Sequence, residues 1–357
     1  MIYNTKRRKS NTVRVGDVFI GGEAAVSIQS MTNTDTHDID ATLAQVKALE
    51  EAGCDIVRLA IPDIAAAKTL YVLKERGIRV PLVADVHFDY KIAIEAAREG
   101  ADKIRINPGN IGSDDKVEAV VRACTDRGLP IRIGVNSGSR PKSVLEKYKT
   151  PTAEALAESA LYHASLLEKF GFSDILLSVK ASNTREMIEA NRILAGAVDY
   201  PLHLGVTEAG GGMSSVIKSS VGIGALLSEG IGDTIRVSMT DDPVREVEVA
   251  RGILKSLGLY NGGMDIVSCP TCGRTKIDLI SLLARFEARA REEGIDKKSI
   301  KVALMGCAVN GPGEAREADI GIAGGVGEGL IFKRGEIIKK VKEDELIDEL
   351  IREIKKM

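Results

Sequence analysis

The sequence predicts an α/β protein: a (β/α)8 barrel followed by a small α/β domain that carries cysteines. Three observations predict it. Short apolar β-rich runs alternate eight times with amphipathic helical runs between residue 25 and about 256. The first strand-to-helix turn, Gln29-Ser-Met-Thr-Asn-Thr34, lacks the Gly-x-Gly-x-x-Gly spacing that the alternative, an open doubly wound sheet, would place there. Three of the five cysteines lie beyond the repeats, as Cys269-Pro-Thr-Cys272 and as Cys307 within Gly306-Cys-Ala-Val-Asn-Gly-Pro-Gly-Glu314.

Taken in order, residues 1–24 read as a hairpin turning at Val15-Gly-Asp-Val18 and placed to plug the barrel bottom. Strands are expected at 25–29, 55–60, 81–84, 102–106, 130–134, 174–178, 201–205 and 233–237, with helices between them. Val117, Val120, Val121 and Cys124 show the i, i+3, i+4, i+7 spacing of one buried helix face. Pro81, Pro130 and Pro201 open strands, where a missing N–H is tolerated. Gly100, Gly128 and Gly171 fall where helices stop. Residues 1–257 thus form hairpin plus barrel, and 258–357 form linker plus C-terminal domain. That domain is expected to hold a helix at 276–292, strands at 300–305, 318–322, 329–333 and 335–338, and a last helix with Leu346, Ile347, Leu350, Ile351 and Ile354 on its face.

Composition narrows the function classes. A net charge of −2 gives no global pull toward nucleic acid or acidic membranes, and absent tryptophan removes the best base-stacking platform. No run of 18 apolar residues is present to span a bilayer. The basic start lacks the apolar core of a secretory signal, and Lys6 to Lys9 read as a solvated arm. An odd cysteine count with a Cys-x-x-Cys points to a reducing cytoplasm.

Active sites of such barrels form at the C-terminal ends of the strands, and those ends are ionic here. Arg58, Arg105, Arg132, Lys180 and Arg236 sit on five of the eight strands, against Asp85 and Glu208. A cation on a barrel strand is costly unless paired, so the excess points to a multiply charged anion, and Arg suits the bidentate geometry of phosphate. The loops Asn107-Pro-Gly-Asn110, Asn136-Ser-Gly-Ser139 and Glu208-Ala-Gly-Gly-Gly-Met-Ser-Ser215 offer N–H groups to such a ligand. His87 beside Asp85 faces the mouth, and His37 follows the first strand toward it. His203 reads equally as core, His163 as a satisfied core histidine, and Cys54 and Cys124 as buried small residues.

Cys269, Cys272 and Cys307 are soft donors for zinc or an iron–sulfur cluster. No further Cys or His follows residue 262, which leaves zinc short of a fourth ligand and suits a cluster with one unusual ligand or one open iron. The eighth helix, about 243–256, runs from barrel top to bottom over roughly 20 Å. The cysteine domain therefore leaves the face opposite the mouth, and a head-to-tail homodimer that shares the active site between subunits is expected.

Ser27-Ile-Gln-Ser-Met-Thr-Asn-Thr34, Asn107-Pro-Gly-Asn110, Ser268-Cys-Pro-Thr-Cys-Gly-Arg274 and the Gly306–Glu314 motif together resemble the 4-hydroxy-3-methylbut-2-en-1-yl diphosphate synthase family, over essentially the whole chain. The resemblance implies a barrel that binds 2-C-methyl-D-erythritol 2,4-cyclodiphosphate. It also implies a [4Fe–4S] domain similar to sulfite and nitrite reductase modules, and a flavodoxin or ferredoxin electron donor. It implies Cys269, Cys272, Cys307 and Glu314 as cluster ligands, with Glu314 able to yield to substrate. Arg58, Arg105, Arg132 and Lys180 would surround the diphosphate, assisted by Asp85, His87, Asn107 and Asn136, and Glu208 would act as the acid. Arg236, His37, Ser238 and Arg274 are further candidates. Three other readings stand beside it: a pterin-binding transferase of the dihydropteroate synthase type, a sirohaem reductase and a zinc-stabilised binding protein.

Overall fold

Val13–Val15 (β1) and Val18–Ile20 (β2) form the expected antiparallel hairpin, turning at Gly16, whose φ of +56° suits glycine. The computed structural model describes residues 7–136, 142–148, 150, 152–307 and 316–357. The chain divides into two units, Met1–Leu259 and Tyr260–Met357.

The first unit alternates strands and helices: β3 (Ser27–Met31), α1 (Ile39–Glu51), β4 (Ile56–Ala60), α2 (Ile64–Glu75), β5 (Leu82–Asp85) and α3 (Tyr90–Arg98). β6 (Lys103–Ile106), the short α4 (Pro108–Ile111), α5 (Asp114–Thr125), β7 (Ile131–Asn136), α6 (Lys142–Tyr148) and α7 (Ala153–Glu168) follow. β8 (Ile175–Lys180), α8 (Thr184–Ala197), β9 (His203–Leu204), α9 (Gly212–Ser228), β10 (Thr234–Ile235) and α10 (Pro243–Ser256) complete it. All eight strands pair in parallel, in the order β8-β7-β6-β5-β4-β3-β10-β9. Leu177 and Leu202 bridge the remaining gap between β8 and β9, so the sheet is a nearly closed barrel and not an open one.

Local chemistry explains the boundaries. Asp63 caps α2 by accepting from the Ala66 N–H at 2.8 Å, and Asp242 with Pro243 at the first helical position starts α10. Gly100, Gly128 and Gly171 have φ of +94°, +62° and +73° after α3, α5 and α7. Val117, Val120, Val121 and Cys124 are all buried, as their spacing predicts. Val13, Val15 and Ile20 of the hairpin pack on Ile56, Val83 and Leu176 at the strand starts and close the barrel bottom. Each such side chain contributes about 1.5–3 kcal/mol by leaving water.

Arg7 and Arg8 are not part of a solvated arm, while Lys9 is exposed as expected and Lys6 lies outside the described residues. Arg7 pairs with buried Asp233 at 3.0 Å, and Arg8 lies 3.7 Å from the other oxygen and donates to the carbonyls of Val198 and Tyr200. A carboxylate set at the start of β10 needs counter-charge, and the N-terminal segment supplies it.

The second unit is a five-stranded mixed sheet: β11 (Asp265–Ser268), β12 (Lys301–Met305), β13 (Ile320–Gly324), β14 (Glu328–Lys333) and β15 (Glu336–Lys342). The first three are parallel and the last two antiparallel. Helices α11 (Leu279–Glu292) and α12 (Leu346–Lys355) cover one face through Leu282, Phe286, Leu350 and Ile354, packed on Val302, Leu304, Ile320 and Ile322. β11 is an additional strand that the pattern did not predict. It is two half-buried residues between two exposed ones after a glycine-rich linker, too short for a period-2 signal, and it exists through its pairing with β12.

Candidate active site

The pleat places residues i and i+2 of each barrel strand on the same face. Lys103 and Arg105 on β6, Arg132 and Gly134 on β7, and Ser178 and Lys180 on β8 thereby turn inward, and Ile104, Ile106 and Ile133 pack beneath the helices. At the C-terminal end of the sheet lies an open cavity of about 280 Å³. Its lining holds Arg58, Asp85, His87, Arg105, Arg132, Asn136, Lys180 and Arg236, with Met31, Ser178 and Thr207.

Asp85 is the central counter-charge. It accepts from Arg105 Nη1 at 2.8 Å and faces Arg58 Nε at 3.6 Å and His87 Nε2 at 3.7 Å. Burial would raise its carboxyl, but Arg58, His87 and Arg105 outweigh it and hold the group well below the usual carboxylate range. Burial pushes Arg58 down to about 10, with Asp85 opposing. Burial, reinforced by Arg236, Arg58 and Arg132, lowers Lys180 well below an ordinary lysine. Arg132 is 1% exposed, and its Nε and Nη2 have no hydrogen-bond partner among the described residues, as is true of Nε of Arg105 and Arg236. Five cations, three of them with orphaned donors, gather around Asp85, an arrangement that suits a polyanion.

Some predicted residues sit elsewhere. Asn107 is buried and caps α4, its Oδ1 accepting from the Gly109 N–H at 3.1 Å, and it is not in the cavity lining. Glu208 is exposed, directly after Thr207 of the lining, with φ of 53°. That left-handed backbone costs a non-glycine residue roughly 1–2 kcal/mol. His37 lies outside the lining and is held by Asp35 and Asp63 at 2.9 and 3.0 Å. His163 is buried against Gly109. The Cys54 and Cys124 thiols are buried, which pushes both up to about 12.

Of the two readings left open for His203 the structure shows the buried one, and Lys103, Gly134 and Glu246 were not picked out from the sequence. Lys103 and His203 are wholly buried inside the barrel, and the alternation from Arg105 back to Lys103 was the signal for the first. A Cβ on Gly134 would stand 2.5 Å from Arg105 Nε, so that glycine makes the bed for the guanidinium. Glu246 of α10 pairs with Arg236 at 3.1 Å, a contact that no local pattern announces.

In the second unit, β11 and β12 end side by side, with Ser268 level with Leu304. Cys269 follows one strand and Cys307 the other, and the Gly306 N–H donates to Cys269 Sγ at 3.2 Å. The Cys272 loop closes on itself through Cys272 N–H to Thr275 Oγ1 (3.2 Å) and is tied to the Cys307 loop by Lys276 N–H to the Gly306 carbonyl (2.9 Å). The N–H of Arg274 is the main cause of a lowered Cys272 thiol. This soft donor set on two joined loops fits a thiophilic metal group. No three donors are drawn together at metal-binding distance among the described residues. Glu314, and with it the rest of its motif from 308 on, lies outside those residues.

Fold and site define a (β/α)8 barrel enzyme with a cation-lined pocket, joined to a cysteine-bearing α/β unit. The barrel resembles type I 3-dehydroquinate dehydratase from Clostridium difficile (TM-score 0.51, 17% identity, 70% of this chain and 98% of that one). It also resembles 7,8-dihydropteroate synthase from Vibrio fischeri (TM-score 0.51, 12% identity, again 70% and 98%). Both likenesses show the fold alone. Family models for the GcpE TIM-barrel domain and the GcpE protein C-terminal domain match residues 10–251 and 265–356. The 4-hydroxy-3-methylbut-2-en-1-yl diphosphate synthase (flavodoxin) of Clostridium acetobutylicum is 58% identical over 352 residues, 99% of this chain and 100% of that protein. The protein of the same name from Geobacillus thermodenitrificans is 58% identical over 351 residues, 98% and 93% of the two chains. The chain belongs to the GcpE family, the 4-hydroxy-3-methylbut-2-en-1-yl diphosphate synthases, which are oxidoreductases.

Proposed function

We propose that this chain reductively opens and dehydrates 2-C-methyl-D-erythritol 2,4-cyclodiphosphate to (E)-4-hydroxy-3-methylbut-2-enyl diphosphate, a step in making isoprenoid precursors. Two electrons and two protons enter and one water leaves. The observation that carries the proposal is the cavity in which Arg58, Arg105, Arg132, Lys180 and Arg236 surround Asp85, on a chain that also bears three cysteines on joined loops. The membership in the family supports it.

In this reading the four cations Arg58, Arg105, Arg132 and Lys180 hold the diphosphate and stabilise the oxyanion released when the ring C–O bond breaks. Asp85 aims Arg58 and Arg105, and His87 and Asn136 of the lining assist. Glu208 gives its proton to the departing hydroxyl, which leaves as water, and its left-handed backbone beside Thr207 is the kind of local cost that functional positions carry. Cys269, Cys272 and Cys307 would hold a [4Fe–4S] cluster, with Glu314 as its fourth ligand. When bound, that cluster supplies electrons one at a time. Flavodoxin, which the relatives' names carry, is the donor, with ferredoxin as the substitute. The enzyme works in the cytoplasm; no described helix is long and apolar enough to cross a membrane. A head-to-tail homodimer, in which two chains share each active site, completes the proposal, supported by the course of α10 from the strand C-terminal ends back to their starts.

The test is anaerobic purification, iron and sulfide counting, and turnover of the cyclodiphosphate with a chemical reductant. About four irons per chain and formation of the linear diphosphate are expected. Zinc in place of iron, or an unchanged substrate, overturns the reading. Glu208→Gln should bind substrate within about twofold and slow turnover at least about 100-fold.

A further inference from the structure

Glu246 lies behind the cavity, on the first turn of α10, and is 3% exposed. Its Oε2 accepts from Ser30 Oγ at 2.8 Å. Its Oε1 accepts from the Met239 N–H at 3.0 Å and from Arg236 Nη2 at 3.1 Å. Ser30 sits between Gln29 and Met31 on β3 and points outward, toward the helix. One carboxylate therefore joins β3, the segment after β10 and α10. Arg236 is gripped a second time, Nη1 to Ser238 Oγ at 3.0 Å, and its Nε remains buried without a partner while the side chain lines the cavity.

We propose that Glu246 is a positioning residue for the anion site, which fixes the guanidinium of Arg236 against the diphosphate and supplies the rear counter-charge of the cation cluster. This rests on the diphosphate reading above. Fixing the guanidinium before binding removes rotamer entropy that the ligand would otherwise have to offset. The counter-charge acts through space. Lys180 faces Arg236 after β10, Arg58 on β4, Arg132 on β7 and His203 on β9, and Glu246 opposes the loss of its proton that burial and those cations favour. Asp85 balances the front of the cluster and Glu246 the back.

The experiment is calorimetric binding of inorganic pyrophosphate, and separately of the cyclodiphosphate, to the intact purified chain, from pH 6.5 to 9.5. Wild type, Glu246→Gln, Glu246→Asp, Arg236→Met and the Glu246→Gln/Arg236→Met pair are compared. Glu246→Gln should weaken binding about 10-fold, and its alkaline loss of affinity should begin at lower pH, because Lys180 then gives up its proton earlier. Glu246→Asp should recover most of the loss. At pH values below the alkaline limb of every variant, where Lys180 keeps its proton, the double variant should bind within about twofold of Arg236→Met, since Glu246 then acts through that side chain. Wild-type affinity and an unmoved alkaline limb in Glu246→Gln overturn the inference, as do losses that multiply in the double variant. Failure of wild type to bind either ligand overturns the diphosphate reading itself. Should Glu246→Gln not fold, Ser30→Ala withdraws one hydrogen bond from Oε2; a loss of about threefold supports the role, and unchanged affinity overturns it.

Discussion

Arg105 donates to Asp85 across neighbouring strands, Nη1 to Oδ1 at 2.8 Å, while Arg58 faces the second carboxylate oxygen at 3.6 Å. One acid thus aims two cations that would otherwise repel. Asp85→Asn leaves both buried and uncompensated, so it should destabilise the fold by about 3–5 kcal/mol. Pyrophosphate should restore part of that loss by replacing the counter-charge. Urea unfolding with and without pyrophosphate checks this; a wild-type midpoint for the variant would refute it. Because the Asp85 carboxyl is depressed in the fold, its contribution is complete above the unfolded value of about 3.9 and disappears as pH falls through the lower folded value.

A methyl group placed on Gly134 meets Arg105 Nε at 2.5 Å, Nη2 at 2.7 Å and Cζ at 2.9 Å. Gly134→Ala should push the guanidinium off its bed and weaken pyrophosphate binding about 10-fold, with the melting temperature within about 4 °C of wild type, equivalent to under about 1 kcal/mol. Gly196, which has open space around its added Cβ, is the control: Gly196→Ala should bind as wild type does.

Lys180 has its ammonium form disfavoured in the empty cavity by burial and three arginines. A bound polyanion reverses that balance, so binding should take up a proton at pH values between the free enzyme's Lys180 value and the higher value of the complex. Calorimetry in buffers of different ionisation enthalpy reads this uptake directly. Lys180→Met should abolish it, and equal apparent enthalpies in all buffers would show that Lys180 keeps its proton throughout.

His203 is fully buried, both ring nitrogens lack a partner among the described residues, and burial together with Arg132, Lys180, Lys103 and Arg58 pushes it well below an ordinary histidine. The unfolded chain binds a proton below about pH 6.5 that the folded chain refuses, so stability falls as pH falls through that value. At full development the slope is about 1.4 kcal/mol per pH unit. His203→Gln should lose that component, as unfolding free energies between pH 7 and 5 would show; equal slopes would mean that His203 titrates in the fold.

Each of Cys269→Ser, Cys272→Ser and Cys307→Ser should lower iron and sulfide per chain, because a hydroxyl is a poor donor to a soft site. Full iron content in any one would remove that cysteine from the ligand set.

Legibility differed between the fold and the site. The eight repeats, the hairpin turn at Gly16 and the glycine stops at Gly100, Gly128 and Gly171 were readable because turn chemistry and hydrophobic period are local properties. The strand cations were readable because an arginine in a short barrel strand has few places to go. β11 was missed because its four residues become a strand only beside β12. Lys103 was missed although the alternation with Arg105 was in plain view.

The sequence by itself determined the barrel, the second unit and the cationic character of the mouth, all consequences of spacing along the chain. Tertiary structure alone decided which charges meet. Ser30 finds Glu246 and Arg7 finds Asp233 over more than 200 residues, and Gly134 matters only because Arg105 from the next strand lies across it. Coulomb attraction and steric exclusion act through space, so the partners of a buried charge follow from how the chain closes and not from its neighbours in sequence.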